Sequence, residues 1–423
     1  MFVYVINKDG NPLMPCKAKK AKDLLKKGLA KIVKKTPFTI QLIYGSKGYK
    51  QPISLGVDAG VKNIGISATT KKEVVFEANV KLRDDIKKLI ATRRENRRSR
   101  RNRKTRYRKP RFLNRKRKEK WLAPSIEYQV KSHKQMVDFI YSFLPISEIS
   151  IEVCQFDTQK LKNPNIKKEE YQKGDLLNFF NVREYVLFRD KHKCQLCFGK
   201  SKDSVLTVHH IESRKTGSNA PSNLITLCKS CHQLLHKDKL EKLIPKKENF
   251  KEASQMTTTR FFIYNSLKKE YPNIKLTYGY ITKNSRISNN LEKSHIADAR
   301  CISGNPLAKA NYSYQIKKIR KNNRKLHKSN IIKGGIRKKN KAPRLVKGFQ
   351  LFDKVRYQKK DCFIYGRRSS GYFRIAEIDG TNIHLSVNCK KLFLKEKAKT
   401  FLIIRSGVSS PCLKTGVSTP SMR

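Results

Sequence analysis

Alternation between apolar and polar positions organises most of this chain into short strands separated by amphipathic helices. Phe2–Ile6 reads as a strand, residues 18–29 as a helix and 31–44 as a second strand. Ile53-Ser54-Leu55-Gly56-Val57-Asp58-Ala59-Gly60 alternates into a turn, and Asn63–Ala68 and Glu73–Ala78 follow as two further strands. Ser125–Leu144 carries an apolar stripe at helical spacing and leads into Glu148–Val153, where Ile149, Ile151 and Val153 share one face and Glu152 points to the other. Stretches at 176–189 and 254–270 lead into and back out of a cysteine- and histidine-rich segment. Beyond it, Ile274–Tyr280 reads as a strand and Lys293–Ala299 as the start of a helix. From Leu351 to Leu394, short alternating runs joined at Asp361, Arg368–Gly371 and Asp379-Gly380 predict a small β-barrel. The mixture predicts an α/β and α+β multidomain protein.

Charge changes the picture. Lys and Arg number 96 against 33 Asp and Glu, a formal net charge of +63. Such an excess repels itself and calls for a polyanion, and its spread along the chain points to a large bound RNA rather than to a DNA duplex alone. Residues 93–120 hold 17 Lys or Arg, with Glu95 and Glu119 as the only acids. The pairs Arg93-Arg94, Arg97-Arg98 and Arg100-Arg101, followed by Arg103, recur at roughly helical spacing, so a helix there is basic nearly all round. It has no apolar face to bury, and phosphates are its natural partner. A disordered basic tail is the plainer alternative. No apolar run of membrane-spanning length and no signal peptide is visible, so a cytoplasmic protein is expected, without a membrane partner. Six of the ten cysteines are scattered, as suits a reducing compartment.

The other four are not scattered. Cys194-x-x-Cys197 and Cys228-x-x-Cys231 are separated by residues 198–227, a spacing that closes a tetrahedral zinc-thiolate site. Between the pairs lie His209-His210 and Asn223, and His232 directly follows the last cysteine. A purely structural zinc ribbon would need none of these. The layout resembles the HNH nuclease family, a zinc-stapled ββα-metal finger that cuts phosphodiesters. By that resemblance His210 is the general base, His209 and His232 hold one divalent cation, and Asn223 braces the histidine loop. His236 stands one helical turn beyond His232, where a further ligand and an exposed helix residue both fit.

The finger interrupts a second constellation. Asp58 on a first strand, Glu152 on a middle strand, and His295 with Asp298 on a late helix resemble an RNase-H-like RuvC nuclease split into three segments. The resemblance makes Asp58, Glu152 and Asp298 ligands of Mg²⁺, with Mn²⁺ as the alternative, and His295 the residue that positions or activates water. Taken singly, Asp58 also reads as a turn residue, Glu152 as an exposed strand residue and Asp298 as a solvated helix residue.

A split RuvC, an arginine-rich bridge and an inserted HNH finger, preceded by Pro12-Leu13-Met14-Pro15, resemble the IscB family, compact RNA-guided nucleases of insertion sequences related to the type II CRISPR effectors. The resemblance implies a PLMP domain (1–50), RuvC-I (51–83), a bridge helix (84–120), RuvC-II (121–175), HNH (176–253), RuvC-III (254–305), a basic RNA-contacting segment (306–348), a β domain reading a short flanking DNA motif (349–408) and a disordered tail (409–423). It implies a guide non-coding RNA (an omega RNA) held by Arg93, Arg94, Arg97, Arg98, Arg100, Arg101 and Arg103, double-stranded target DNA, and a monomeric protein in a prokaryotic, nucleoid-associated ribonucleoprotein. HNH would cut the guide-paired strand and RuvC the displaced one. Arg367 and Arg368 are candidate DNA contacts, to phosphate more than to guanine. Two departures stand out: His209 where relatives carry Asp, which favours softer metals, and Ala59 where Pro often follows the Asp. An unguided nuclease or resolvase, and a non-cutting RNA-binding regulator, are the competing readings.

Overall fold

The protein is described here from a computed structural model, which covers residues 2–46, 48–101, 121–153, 156–172, 174, 176–212, 219–238, 250–320 and 343–407, without the side chains of 99–101 and 251. The chain divides into two units: 1–84, 113–155 and 256–423 in one, and 85–112 with 156–255 in the other.

In chain order the first unit opens with β1 (Phe2–Ile6), β2 (Pro12–Lys17), α1 (Ala18–Lys26), β3 (Ala30–Lys34) and β4 (Thr39–Leu42), a four-stranded sheet in the order β2-β1-β4-β3. The single strand expected over 31–44 is instead the antiparallel pair β3–β4, because Thr36-Pro37 turns the chain between them. Pro12–Lys17, which alternation alone does not mark, is also a strand. Its prolines cost little because β2 lies on the sheet edge and pairs only with β1.

Strands β5 (Ser54–Ala59), β6 (Asn63–Thr69) and β7 (Val74–Lys81) form an antiparallel meander, as the alternation predicts. The second unit then begins with α2 (Ile86–Arg101), and the first resumes with α3 (Pro124–Tyr141) and β8 (Glu148–Glu152). Helices α4 (Thr158–Lys162) and α5 (Val182–Arg189), strands β9 (Leu206–His210) and β10 (Leu224–Cys228) and helix α6 (Lys229–Asp238) follow in the second unit. The chain continues through α7 (Lys251–Lys268), β11 (Ile274–Thr277), α8 (Gly279–Ser288), α9 (His295–Ile302), β12 (Ser313–Lys318), β13 (Lys354–Tyr357), β14 (Lys360–Arg367), β15 (Tyr372–Ala376), β16 (Asn382–Asn388), β17 (Phe393–Glu396) and β18 (Phe401–Ser406).

A seven-stranded mixed sheet, β11-β8-β5-β6-β7-β12-β18, holds the first unit together. β8 runs parallel to β5, and β11 parallel to β8. On one face, Leu55, Val57, Ile64, Ile66, Ile149 and Ile151 pack with Val137 and Ile140 of α3 and Ile263 and Leu267 of α7. Each such aliphatic side chain, removed from water, stabilises the fold by roughly 1.5–3 kcal/mol. Strand alternation turns Gly56 and Asp58 to the other face. There α9 lies against β5 and β6: a Cβ at Gly56 would meet Ala299 O at 2.1 Å, and one at Gly65 would meet His295 O at 1.9 Å. Only glycine admits a helix so close. Arg300 of α9 and Glu77 of β7, 2% and 0% exposed, seal the contact with Nε and Nη2 at 2.8 and 2.7 Å from one carboxylate oxygen.

Two C-terminal expectations change. The expected β-barrel is an open five-stranded antiparallel sheet, β16-β15-β14-β13-β17, with Val355, Ile364, Phe373, Ile375 and Val387 in its core. Its edge strands β16 and β17 do not pair, so no hydrogen-bonded closure forms. Strand β18, expected within this domain, pairs antiparallel with β12 in the seven-stranded sheet. Among the described residues, no helix is long and apolar enough to cross a membrane.

Candidate active sites and zinc centre

The zinc-like centre is built from a knuckle and a strand-to-helix junction. Cys194 and Cys197 flank a turn whose exit, Phe198 and Gly199, adopts positive φ of 51° and 94°. Cys228 ends β10, and Cys231 lies in the first turn of α6, where its N–H donates to Cys228 Sγ at 3.4 Å. All four sulfurs lie within 4.8 Å of one another, and none is in a disulfide. Zinc–sulfur bonds of about 2.3 Å give a tetrahedral edge of about 3.8 Å; Cys197 Sγ and Cys228 Sγ are 3.9 Å apart. The donor set and the spacing are therefore compatible with Zn²⁺. The Ser201 hydroxyl, 3.2 Å from Cys197 Sγ, helps pull that thiol down to about 6, toward the thiolate that metal binding requires.

Beside this centre, three histidines converge. His209 of β9 is buried, and His232 and His236 stand one turn apart on α6. Their ring centroids are 4.7–5.2 Å apart in edge-to-face pairs, with all ligating nitrogens within 4.8 Å. Burial, reinforced by the nearby His236, lowers the His232 pKa and so favours the neutral, metal-binding imidazole. His236 thus joins a set that sequence spacing left open. His210 alternates to the other side of β9, where its Nε2 meets Asn219 Oδ1 at 3.0 Å. Asn223 clamps the chain just past the histidine pair: its Oδ1 accepts from Glu212 N–H at 2.9 Å, its Nδ2 donates to Glu212 O at 3.2 Å, and its own carbonyl accepts from Ile211 N–H at 2.9 Å.

Sequence reasoning missed a second brace. Arg189 donates to the carbonyls of Pro221 and Leu224 at 2.7 and 2.9 Å, while Asp190 accepts from Thr226 N–H at 2.9 Å. Two adjacent opposite charges closing an apolar helix, Tyr185-Val186-Leu187-Phe188, are the signal that marks them.

In the first unit, the register Val57↔Ile151 sets Asp58 and Glu152 level on adjacent parallel strands, and both are buried. Helix α9 supplies the rest. Ser294 caps it by accepting from Ala297 N–H at 3.1 Å, which leaves His295 and Asp298 in its first turn. His295 Nδ1 donates to Asp58 Oδ2 at 2.6 Å, and this bond raises the imidazole pKa. Burial and the negative charges of Asp58 and Glu152 push the Asp298 carboxyl up to about 6, against the pull of Arg286, whose Nε lies 3.1 Å from Asp298 Oδ1. Carboxylates close enough to raise the pKa of one of them form a site whose mutual repulsion a divalent cation would relieve. The oxygen-rich donor set fits Mg²⁺ or Mn²⁺. Arg286, Gly56 and Gly65 were not singled out from sequence; a glycine two positions before Asp58 and another inside the next strand are the traces they leave.

The basic contacts divide. Arg93, Arg94, Arg97 and Arg98 are exposed on α2, which buries none of its described side chains. Arg100 and Arg101 continue its backbone with side chains outside the described set, and Arg103 lies outside the described residues. The Arg367 guanidinium donates through Nη1 to the carbonyls of Arg344 and Phe349 at 2.6 and 2.7 Å and is half-buried. Arg368 is held more loosely, 3.3 Å from Ser386 Oγ.

Comparison with known proteins separates the two regions. No curated protein matches the chain. The solved structure of Streptococcus thermophilus Cas9 in complex with the GGAA PAM aligns at 14% identity over 44% of this chain and 26% of that one, with a TM-score of 0.27, a likeness too slight to define a common fold. This chain therefore spans about a quarter of that protein's length. Residues 3–174 match the family model described as RRXRR protein, and residues 194–238, which hold the four cysteines and the histidine cluster, match the HNH endonuclease model. The chain thus carries an RRXRR segment followed by an HNH endonuclease domain.

Proposed function

We propose that this protein is an RNA-guided DNA endonuclease of the IscB type, cutting the guide-paired strand with its HNH domain and the displaced strand with a RuvC-like site. One observation carries the reading: a single, very basic chain holds two separate constellations suited to phosphodiester hydrolysis. These are His210 with the His209/His232/His236 cluster, and Asp58–Glu152–Asp298 with His295. The domain boundaries expected from sequence go with this proposal, save that β12 and β18 join the RuvC-like sheet.

In the HNH domain, His210 accepts a proton from the attacking water while Asn219 and Asn223 hold it and its loop in place. His209, His232 and His236 would hold a divalent cation, which would neutralise the charge that builds up on phosphate. In the RuvC-like site, Asp58, Glu152 and Asp298 would hold Mg²⁺, which would supply charge neutralisation at the scissile phosphate. His295, bonded to Asp58, orients the water. The exposed arginines of α2 meet the phosphates of the guide, which supplies sequence specificity. Arg367 and Arg368 are the candidate DNA contacts.

The test is strand-specific nicking by the protein purified with its RNA. His210→Ala should stop cutting of the guide-paired strand alone, and Asp58→Ala that of the displaced strand alone. Equal loss on both strands removes the division of labour, and absence of a discrete co-purifying RNA favours an unguided nuclease.

A further inference from the structure

Next to the carboxylate site lies a pair of tyrosines that the hydrolytic chemistry does not use. Strand β11 pairs with β8 in the register Thr277↔Glu152, and Val153 N–H donates to Thr277 O at 3.0 Å. Tyr278 is therefore the first residue past the level of Glu152. It is extended and sits at the N-cap of α8, which begins at Gly279 and has Tyr280 in its first turn. Seven residues after Gly279, Arg286 of the same helix reaches Asp298. The segment 278–285 is thus anchored to the carboxylate cluster at both ends.

The tyrosines are not core. Tyr278 is 50% and Tyr280 66% exposed, and their rings lie nearly parallel, 14° between planes with centroids 6.2 Å apart. Two large rings held face-parallel in water, where burial would normally claim them, are a stacking surface. The rest of α8 contains the exposed Lys283 and no acid, its Arg286 being paired with Asp298, and Lys293 stands near Asp298. Aromatic faces beside cations suit a base with its phosphate, since every base offers a π-face. A duplex keeps its base faces stacked internally, so only an unpaired strand can use such a platform.

We propose that Tyr278 and Tyr280 form a platform on which bases of single-stranded DNA stack, seating that strand against the Asp58–Glu152–Asp298 site. The proposal rests on reading that site as the one that cuts the displaced strand, and the two fail separately.

The test uses the full-length Asp58→Asn protein and a single-stranded oligodeoxynucleotide carrying one 5-iododeoxyuridine, irradiated in the near ultraviolet. The crosslink should map to Tyr278 or Tyr280. Tyr278→Leu/Tyr280→Leu should lower its yield about ten-fold or more, the range that base stacking spans, whereas Tyr278→Phe/Tyr280→Phe should retain it. A crosslink mapping elsewhere, a yield unchanged in the leucine variant, or a phenylalanine variant as poor as leucine overturns the platform. Equal competition by the same sequence as RNA overturns the assignment to DNA. If Asp58→Ala leaves displaced-strand cutting intact while the crosslink holds, the site reading fails and the platform stands. If Asp58→Ala stops cutting but the leucine variant crosslinks normally, the reverse is true.

Discussion

Replacing Asp298 with Asn tests whether the carboxylates are as crowded as the geometry implies. The Asp298 carboxyl is held at about 6, roughly two units above its ordinary 3.8. Because the folded-state pKa is raised, its relative contribution to stability is present below pH 4 and is lost as pH climbs through 6. At about 1.4 kcal/mol per unit the ceiling is about 3 kcal/mol. Water at the open side of the site screens part of this, so about 1–2 kcal/mol is expected. The difference in unfolding free energy, variant minus parent, should therefore rise by that amount between pH 4 and pH 7. Urea titrations in chelator, followed by fluorescence of Trp121, the chain's one tryptophan and part of the first unit, measure it directly. Saturating Mg²⁺ at pH 7 should close the gap by stabilising the parent more than the variant. A difference that stays flat with pH would refute the crowding, and one that falls with pH would mean that Arg286 outweighs the two carboxylates.

Three further outcomes follow from the same structure. Gly65→Ala would place a methyl 1.9 Å from His295 O, so α9 must shift; a loss of about 3 kcal/mol and weaker Mg²⁺ binding by calorimetry are expected, while a neutral effect would mean that α9 is not seated as described. Cys228→Ser, or a strong chelator, should unfold the finger, whose folding draws on roughly 10–16 kcal/mol of zinc binding, and leave the Trp121 transition unchanged; elemental analysis finding no zinc would remove the four-cysteine centre. Alanine at Arg97, Arg100, Arg101 and Arg103 together should leave the melting temperature nearly unchanged. It should also cut the slope of log RNA affinity against log salt by roughly 0.7–0.9 per lost phosphate contact; an unaltered slope would reduce α2 to a solvated charge run.

What could be read in advance was what is local. The meander β5–β7 and strand β8 follow from period-two alternation, and the cysteine centre from spacing alone, because a knuckle's geometry is set within four residues. What escaped was decided at long range. Nothing in 401–406 says that this strand leaves its domain to pair with β12, since an alternating run carries no record of its partner. Pro12–Lys17 carries no alternation to mark it as a strand, and its prolines are tolerated because β2 lies on a sheet edge. His236 could not be told from a surface residue until α6 was set against β9, and the carbonyl partners of Arg367 lie some twenty residues away along the chain.

The buried Arg300–Glu77 pair has a consequence for how the carboxylate site can fail. Lifting α9 from the sheet would strip both charges of their contact in a dry interior, at a cost of several kcal/mol for each ion. Partial detachment is therefore worse than either extreme. The helix that carries His295 and Asp298 should not fray or breathe on its own; its amides should exchange with solvent only when the whole sheet opens. Inactivation of this site on heating would then be abrupt, coincident with the melting of its unit, rather than a gradual loosening that precedes it.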